Sequence, residues 1–205
     1  MKILYKILII PFNFILRVVH SLRIGLYLYY MKAKGLEIGN NYSFYGIPLI
    51  KLVQGSKIVI GDNFLANSDP KSNVAGIIMP TTLATITGEA KLVIGDNVMV
   101  SGASIVAAST ITIGNNVTVG TGVCIWDTNF HPMDAEIRAK TPNDNVKNKE
   151  ICIGDNVFIG GRVIILKGVT IGENSIIGAG SVVSSDVESN SIYAGNPAKF
   201  IRKID

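Results

Sequence analysis

The 205-residue chain has two cysteines, two histidines and one tryptophan, and only 17% of its residues are charged. Each scarcity excludes something. Cys124 and Cys152 are too few for a disulfide framework and form no Cys-x-x-Cys pair. They read as reduced thiols of a cytoplasmic protein. His20 and His131 cannot supply a three-histidine metal site within one chain, so no metal is expected. Aromatics make up 7% against 48% hydrophobic residues, so the apolar content is aliphatic. The first apolar stretch, between Lys6 and Arg17, holds ten residues and includes Pro11 and Asn13. A membrane-spanning helix needs about 20. A signal peptide fits poorly, because Arg17 and Arg23 interrupt the segment and no small-x-small cleavage site follows.

The net charge of +4 is unevenly spread. Residues 1–36 carry Lys2, Lys6, Arg17, Arg23, Lys32 and Lys34 and no acid. The remainder is slightly acidic, which excludes a generally basic nucleic-acid binder. Residues 1–35 read as one or two short helices broken near Pro11. They serve either as a cap on the main domain or as an interfacial anchor, with cations toward anionic lipid and residues 1–30 in peripheral membrane contact. The two readings are compatible.

What the chain has in quantity is a period of six. Ile153, Ile159, Ile165, Ile171, Ile177 and Val183 follow one another at six-residue steps, and Gly follows four of them. Four residues after each aliphatic comes a small or β-branched residue: Val157, Val163, Val169, Ser175, Ser181. Ile94, Val100 and Val106 form an upstream set, and Ile113, Val119 and Ile125 another, with one residue inserted between them. Weaker starts stand at Ile38-Gly39-Asn40-Asn41 and Ile60-Gly61-Asp62-Asn63. A short β-branched strand points one aliphatic per unit into a narrow core, and Gly, Asn and Asp supply the positive φ of a tight corner. A helix would need a period of about 3.6, and a sandwich of hairpins spacings of about 8–12. The repeat therefore predicts an all-β parallel solenoid.

These repeats resemble the hexapeptide-repeat acyltransferases. The resemblance covers about 36–205 and implies a left-handed parallel β-helix, three hexads to a coil. The left hand comes from the resemblance alone, since parallel crossovers are normally right-handed. It divides the chain into an N-terminal helical segment 1–35, a β-helix 36–190 with loop insertions at 64–92 and 127–150, and a C-terminal cap 191–205. It also implies a homotrimer with active sites between subunits.

The repeat breaks between Ile125 and Ile153, where a polar, proline-containing segment carries His131. Insertions on rigid scaffolds are common places for function. Asp127-Thr128-Asn129-Phe130-His131-Pro132, followed by Glu136-Ile137-Arg138, resembles the His-Pro loop of sugar O-acetyltransferases of the galactoside, maltose, nodulation and capsule or O-antigen type. The resemblance makes His131 a general base. Imidazole can take the proton of an alcohol as it attacks a thioester. Its second nitrogen needs an acceptor to fix the tautomer. Asp127, Asn129 and Asp134 are candidates that spacing cannot separate. By the same resemblance the backbone N–H of Gly161 would face the oxyanion. Family members often have Trp where this chain has Phe158.

Gly195-Asn196-Pro197-Ala198-Lys199 resembles the tail of members that use coenzyme A, which implies acetyl-CoA as co-substrate. Gly160, Ala179, Ser184 and Ser185 match positions along its pantetheine arm, and Lys199 and Arg202 match cations near its phosphates. Ser101 and Trp126 are candidate contacts for a sugar or glycan acceptor. The expectation is an acetyl-CoA-dependent O-acetyltransferase, cytoplasmic and peripheral at the inner face of a membrane. The competitors are an antibiotic acetyltransferase of the same fold and a non-catalytic solenoid scaffold.

Overall fold

The computed structural model describes residues 2–204, with side chains from Phe14 onward, so those of Lys2 and Lys6 lie outside the described residues. Helix α1 runs Lys2–Ala33, then every strand to Val183 lies parallel to its neighbours in one of three sheets. The chain visits the sheets in rotation. The first sheet stacks strands from Leu36–Ile38 to Thr170–Ile171, the second from Ser43–Tyr45 to Ile176–Ile177, and the third from Leu49–Lys51 to Val182–Val183. This is the left-handed parallel β-helix, a triangular prism with three corners per coil. The tail closes the far end as an antiparallel hairpin, Ser191–Gly195 with Ala198–Lys203, through a cis Asn196–Pro197 peptide.

The repeat aliphatics form the core. Ile94, Ile113, Ile153 and Ile171 stand in register down the first sheet, each 1% exposed. The second position of each unit also points inward, and Val117, Val157 and Val163 are buried. Where serine takes that position its hydroxyl finds a backbone carbonyl: Ser181 donates to Gly178 and Ser175 to Glu188, each at 2.6 Å. One corner is held by an amide ladder. Asn63, Asn97, Asn116, Asn156, Asn174 and Asn190 all take φ of 56–58°, each passing its side-chain amide to the next at 2.9–3.0 Å. Asparagine tolerates this left-handed backbone and both donates and accepts, so one residue type makes the turn and links successive coils.

Three expectations need correction. The inward residue of the coil after Val100 is Ile105, 0% exposed and in register with Ile125, not Val106. The extra residues therefore fall at the Ala108–Ser109 corner. The interval 64–92 is not one insertion: Leu65–Asn67 and Thr82–Thr85 are regular strands with Ala66 and Leu83 buried. The principal excursion is 68–81. Finally, α1 is one helix through Pro11 rather than a broken pair. A proline removes one ladder bond, at about 3 kcal/mol, and a 32-residue helix with a packed C-terminal half continues despite it.

That C-terminal half caps the prism. Ile24, Leu28 and Met31 are buried in the same core as Leu36, Ile50 and Ile58. The Tyr27 hydroxyl accepts from the Ile50 N–H at 2.8 Å, and His20 Nε2 lies 3.0 Å from the Phe44 carbonyl. No helix among the described residues is long and apolar enough to cross a membrane.

Candidate active site

The strand Cys124–Trp126 lies within the third sheet, and the loop 127–150 leaves the prism after it, at the corner between the third and first sheets. Thr128 pairs with Asn148 at its base, and Lys149 N–H donates to the Asp127 carbonyl at 2.9 Å, so the loop is pinched shut where it leaves. Phe130 takes φ +60°, a left-handed backbone unusual for a bulky residue. Its ring stands edge-on to Trp126 at 5.5 Å between centroids, and its N–H donates to the Thr128 hydroxyl at 3.0 Å. These contacts hold the strained residue that turns the chain into His131.

His131 is exposed, in a shallow recess of about 460 Å³ with Asn129, Pro132, Met133, Arg138 and Lys167. Its Nδ1 lies 3.3 Å from the Pro142 carbonyl. A carbonyl oxygen only accepts, so this contact puts the proton on Nδ1 and leaves the Nε2 lone pair for chemistry. The partner of Nδ1 is thus a backbone carbonyl, which no side-chain motif announces. Lys167 is a second neighbour the sequence did not flag; it arrives from the coil below.

The three candidate acceptors have other work. Asp127 is 0% exposed, and its two oxygens accept the N–H groups of Ala108 at 2.7 Å and Ser109 at 2.8 Å. Burial pushes its carboxyl above the usual range, with those backbone hydrogen bonds opposing the shift. It clamps the corner that carries the extra residues. Asn129 shapes the turn, its carbonyl accepting from the His131 N–H at 2.7 Å. Asp134 caps helix α2, Ala135–Lys140, by accepting from Glu136 and Ile137 N–H at 2.9 and 3.0 Å. Among the described hydrogen bonds none of the three reaches the imidazole.

Gly161 stands at a different corner, between the second and third sheets, after Phe158–Ile159. Its carbonyl accepts from the Gly180 N–H at 2.9 Å, and among the described residues nothing accepts from its own N–H. Gly160 is tightly stacked, since a Cβ there would lie 2.6 Å from the Ala179 nitrogen. Arg162 follows with φ +61°. The 68–81 excursion folds onto this corner: the Thr121 hydroxyl donates to the Gly76 carbonyl at 2.8 Å, and Ile77 covers Gly102. Ser101 ends a strand at the same corner.

The remaining candidates divide between the corners. Ala179 is exposed below Gly160, whereas Ser184 and Ser185 are exposed on the His131 side, after Val182–Val183. Trp126 is also on that side, and its indole N–H donates to the Ser104 hydroxyl at 3.2 Å. Lys199 and Arg202 are exposed on the last hairpin strand, paired with Ala194 and Ile192. The structure therefore does not bring His131 and Gly161 together within one chain. Between Gly161 and Lys167 lie the left-handed turn at Arg162 and the strand Ile164–Leu166, the width of one prism face.

The repeats match known families directly. Residues 153–185 match the bacterial transferase hexapeptide family (six repeats), and residues 91–126 match the hexapeptide repeat of succinyl-transferase. Galactoside O-acetyltransferase of Escherichia coli K12 is 44% identical over 102 residues, 50% of this chain and 48% of that enzyme. The chain thus spans about half the length of such curated relatives. The structure of a galactoside acetyltransferase in complex with coenzyme A superposes with TM-score 0.52 and 32% identity over 82% of this chain and 65% of that one. A hexapeptide-repeat acetyltransferase of Vibrio cholerae, complexed with acetyl coenzyme A, gives 0.50 and 25% over 80% and 72%. Repeat, prism and sequence likeness agree: the chain is a left-handed β-helix of hexapeptide repeats, similar over about half its length to the galactoside O-acetyltransferases.

Proposed function

We propose that the protein moves an acetyl group from acetyl-CoA to a hydroxyl of a sugar or polysaccharide unit, as a homotrimer with its sites between subunits. The observation that carries the reaction is His131, exposed on a recess with Nδ1 on the Pro142 carbonyl. Nε2 takes the acceptor's hydroxyl proton as the oxygen attacks the thioester carbonyl. The new C–O bond forms, and negative charge gathers on the carbonyl oxygen. The C–S bond then breaks, and the leaving thiolate takes the proton back from the imidazolium. Proton transfer of this kind is worth roughly 10²–10⁴ in rate. Gly161 N–H is the donor suited to the oxyanion. The small residues Gly160 and Ala179 leave its corner open to a pantetheine arm, along which Ser184 and Ser185 are further candidates, and Lys199 and Arg202 offer cations to the phosphates of coenzyme A. Ser101 and Trp126 remain the candidate acceptor contacts.

The trimer reading rests on the same geometry. A base and an oxyanion donor must each lie about 3 Å from the reacting group. Here they stand on separate corners of one prism, so the His131 corner of one chain would meet the Gly161 corner of the next. Parallel sheets are usually covered on both faces, yet Met99 and Phe158 on the second sheet are 46% and 48% exposed. Subunit complementation tests this. His131→Ala and Ala179→Trp should each be inactive alone and recover activity when co-expressed. Mixed trimers without recovery would contradict a shared site. The acceptor class is tested beside it with sugars, nucleotide-sugars and chloramphenicol; turnover confined to chloramphenicol would move the reading to an antibiotic acetyltransferase. The location that fits a lipid-linked glycan acceptor is cytoplasmic, peripheral at the inner face of a membrane.

A further inference from the structure

Helix α1 is apolar on the wrong side for a simple cap. Its solenoid-facing residues are His20, Ile24, Tyr27, Leu28 and Met31, all buried or half-buried. At about 3.6 residues per turn, the opposite face carries Ile15, Val18, Leu22, Leu26 and Tyr29 in one stripe. They are 56%, 41%, 63%, 73% and 77% exposed. An ordinary surface helix would carry charge and amide groups there. Two cations border the stripe, whereas Arg17 falls on the opposite side of the helix. Arg23 and Lys32 stand about a quarter-turn to either side of it. Lys34 sits over the Tyr30 ring at 4.7 Å, at the helix end. No acid occurs before Glu37.

We infer that this outward face of α1 is a docking surface for an anionic lipid bilayer, with the helix lying in the interface and the prism held beneath it in the aqueous phase. The inference deepens the peripheral-membrane reading above and narrows it to one helix face and one headgroup charge. The charge pattern chooses the occupant. A second α1 seated on the first would bring Arg23 and Lys32 against the same cations with no acid on either helix to answer them. Anionic headgroups answer them at both borders while the stripe enters the acyl boundary.

The test uses the full chain and two kinds of vesicle, phosphatidylcholine alone and phosphatidylcholine mixed with phosphatidylglycerol, read by co-sedimentation. The protein should pellet with the anionic vesicles, and added salt should weaken the binding. Leu22→Asp combined with Leu26→Asp should weaken it about a hundredfold or more. Arg23→Gln and Lys32→Gln should each weaken it about fivefold while leaving the stripe intact, which covers the case of a misfolded aspartate variant. All these positions are exposed and remote from His131, so thiol release with a soluble acceptor should not change. That assay separates the two claims: turnover without vesicle binding overturns the docking surface alone. Equal binding to both vesicles, or binding untouched by the aspartates, also overturns it. So does an oligomer mass that falls on Leu22→Asp and Leu26→Asp, because the stripe would then be covered by a second copy.

Discussion

Replacing Asp127 with alanine separates a structural carboxylate from a catalytic one. The side chain is fully buried and holds two backbone N–H groups, those of Ala108 and Ser109. A hydrogen bond to a charged group contributes about 1.5–3 kcal/mol. Two of them, less the desolvation the carboxylate escapes and the water Ser109 can reach, leave a loss of roughly 2–4 kcal/mol. For a chain of this size that is roughly 5–15 °C in Tm. Burial raises the carboxyl from 3.8, so the folded state binds its proton more tightly than the unfolded state. The stability it contributes is fully present below the unfolded value and declines as pH rises through the folded one. The Tm gap between wild type and Asp127→Ala should therefore widen as the solution is acidified from neutral. Turnover, measured well below both melting points, should stay within a few-fold of wild type. An unchanged Tm together with a collapse in turnover matching His131→Ala would refute the reasoning, because Asp127 would then act on the imidazole.

Other perturbations follow from the same contacts. Ile125→Ala empties a fully buried position stacked between Ile105 and Ile165 and should cost about 2–5 kcal/mol in chemical denaturation. Gly160→Ala drives a Cβ against the Ala179 nitrogen and should lower Tm sharply. Gly161→Ala meets only Thr121 atoms at 3.3 Å and beyond, keeps its N–H, and should melt near wild type. Phe130→Ala loses the Trp126 contact that holds a left-handed backbone, so kcat should fall while the CD spectrum of the solenoid persists; a wild-type kcat would show that His131 needs no such support.

The β-helix was legible because its physics is local and repeated. One inward aliphatic and one Gly, Asn or Asp corner recur in nearly every unit, so Ile153 to Val183 declare their period without help. Legibility failed where spacing stopped carrying the register. Ile105 and Val106 are adjacent aliphatics, and only pairing with Ile125 decides which points inward. Leu65–Asn67 and Thr82–Thr85 lack the Ile-Gly signature, and the 68–81 excursion separates their inward residues, Ala66 and Leu83. His131 was legible as an isolated imidazole in a polar break of the repeat. Its partner was not, because the Pro142 carbonyl belongs to the backbone and is delivered by loop closure. Asp127 was one of three candidates that spacing could not separate, and Ala108 and Ser109 claim it across a coil. The separation of His131 and Gly161 by a whole prism face is likewise a property of the folded stack.

The most direct test of the central claim is acetyl-CoA-dependent thiol release by wild type and His131→Ala in the presence of sugar acceptors. The account predicts acceptor-dependent turnover that falls by about 10²-fold or more in the variant, with its Tm unchanged. Turnover equal in the two proteins would contradict it, since the exposed imidazole on its recess would then play no part in the transfer.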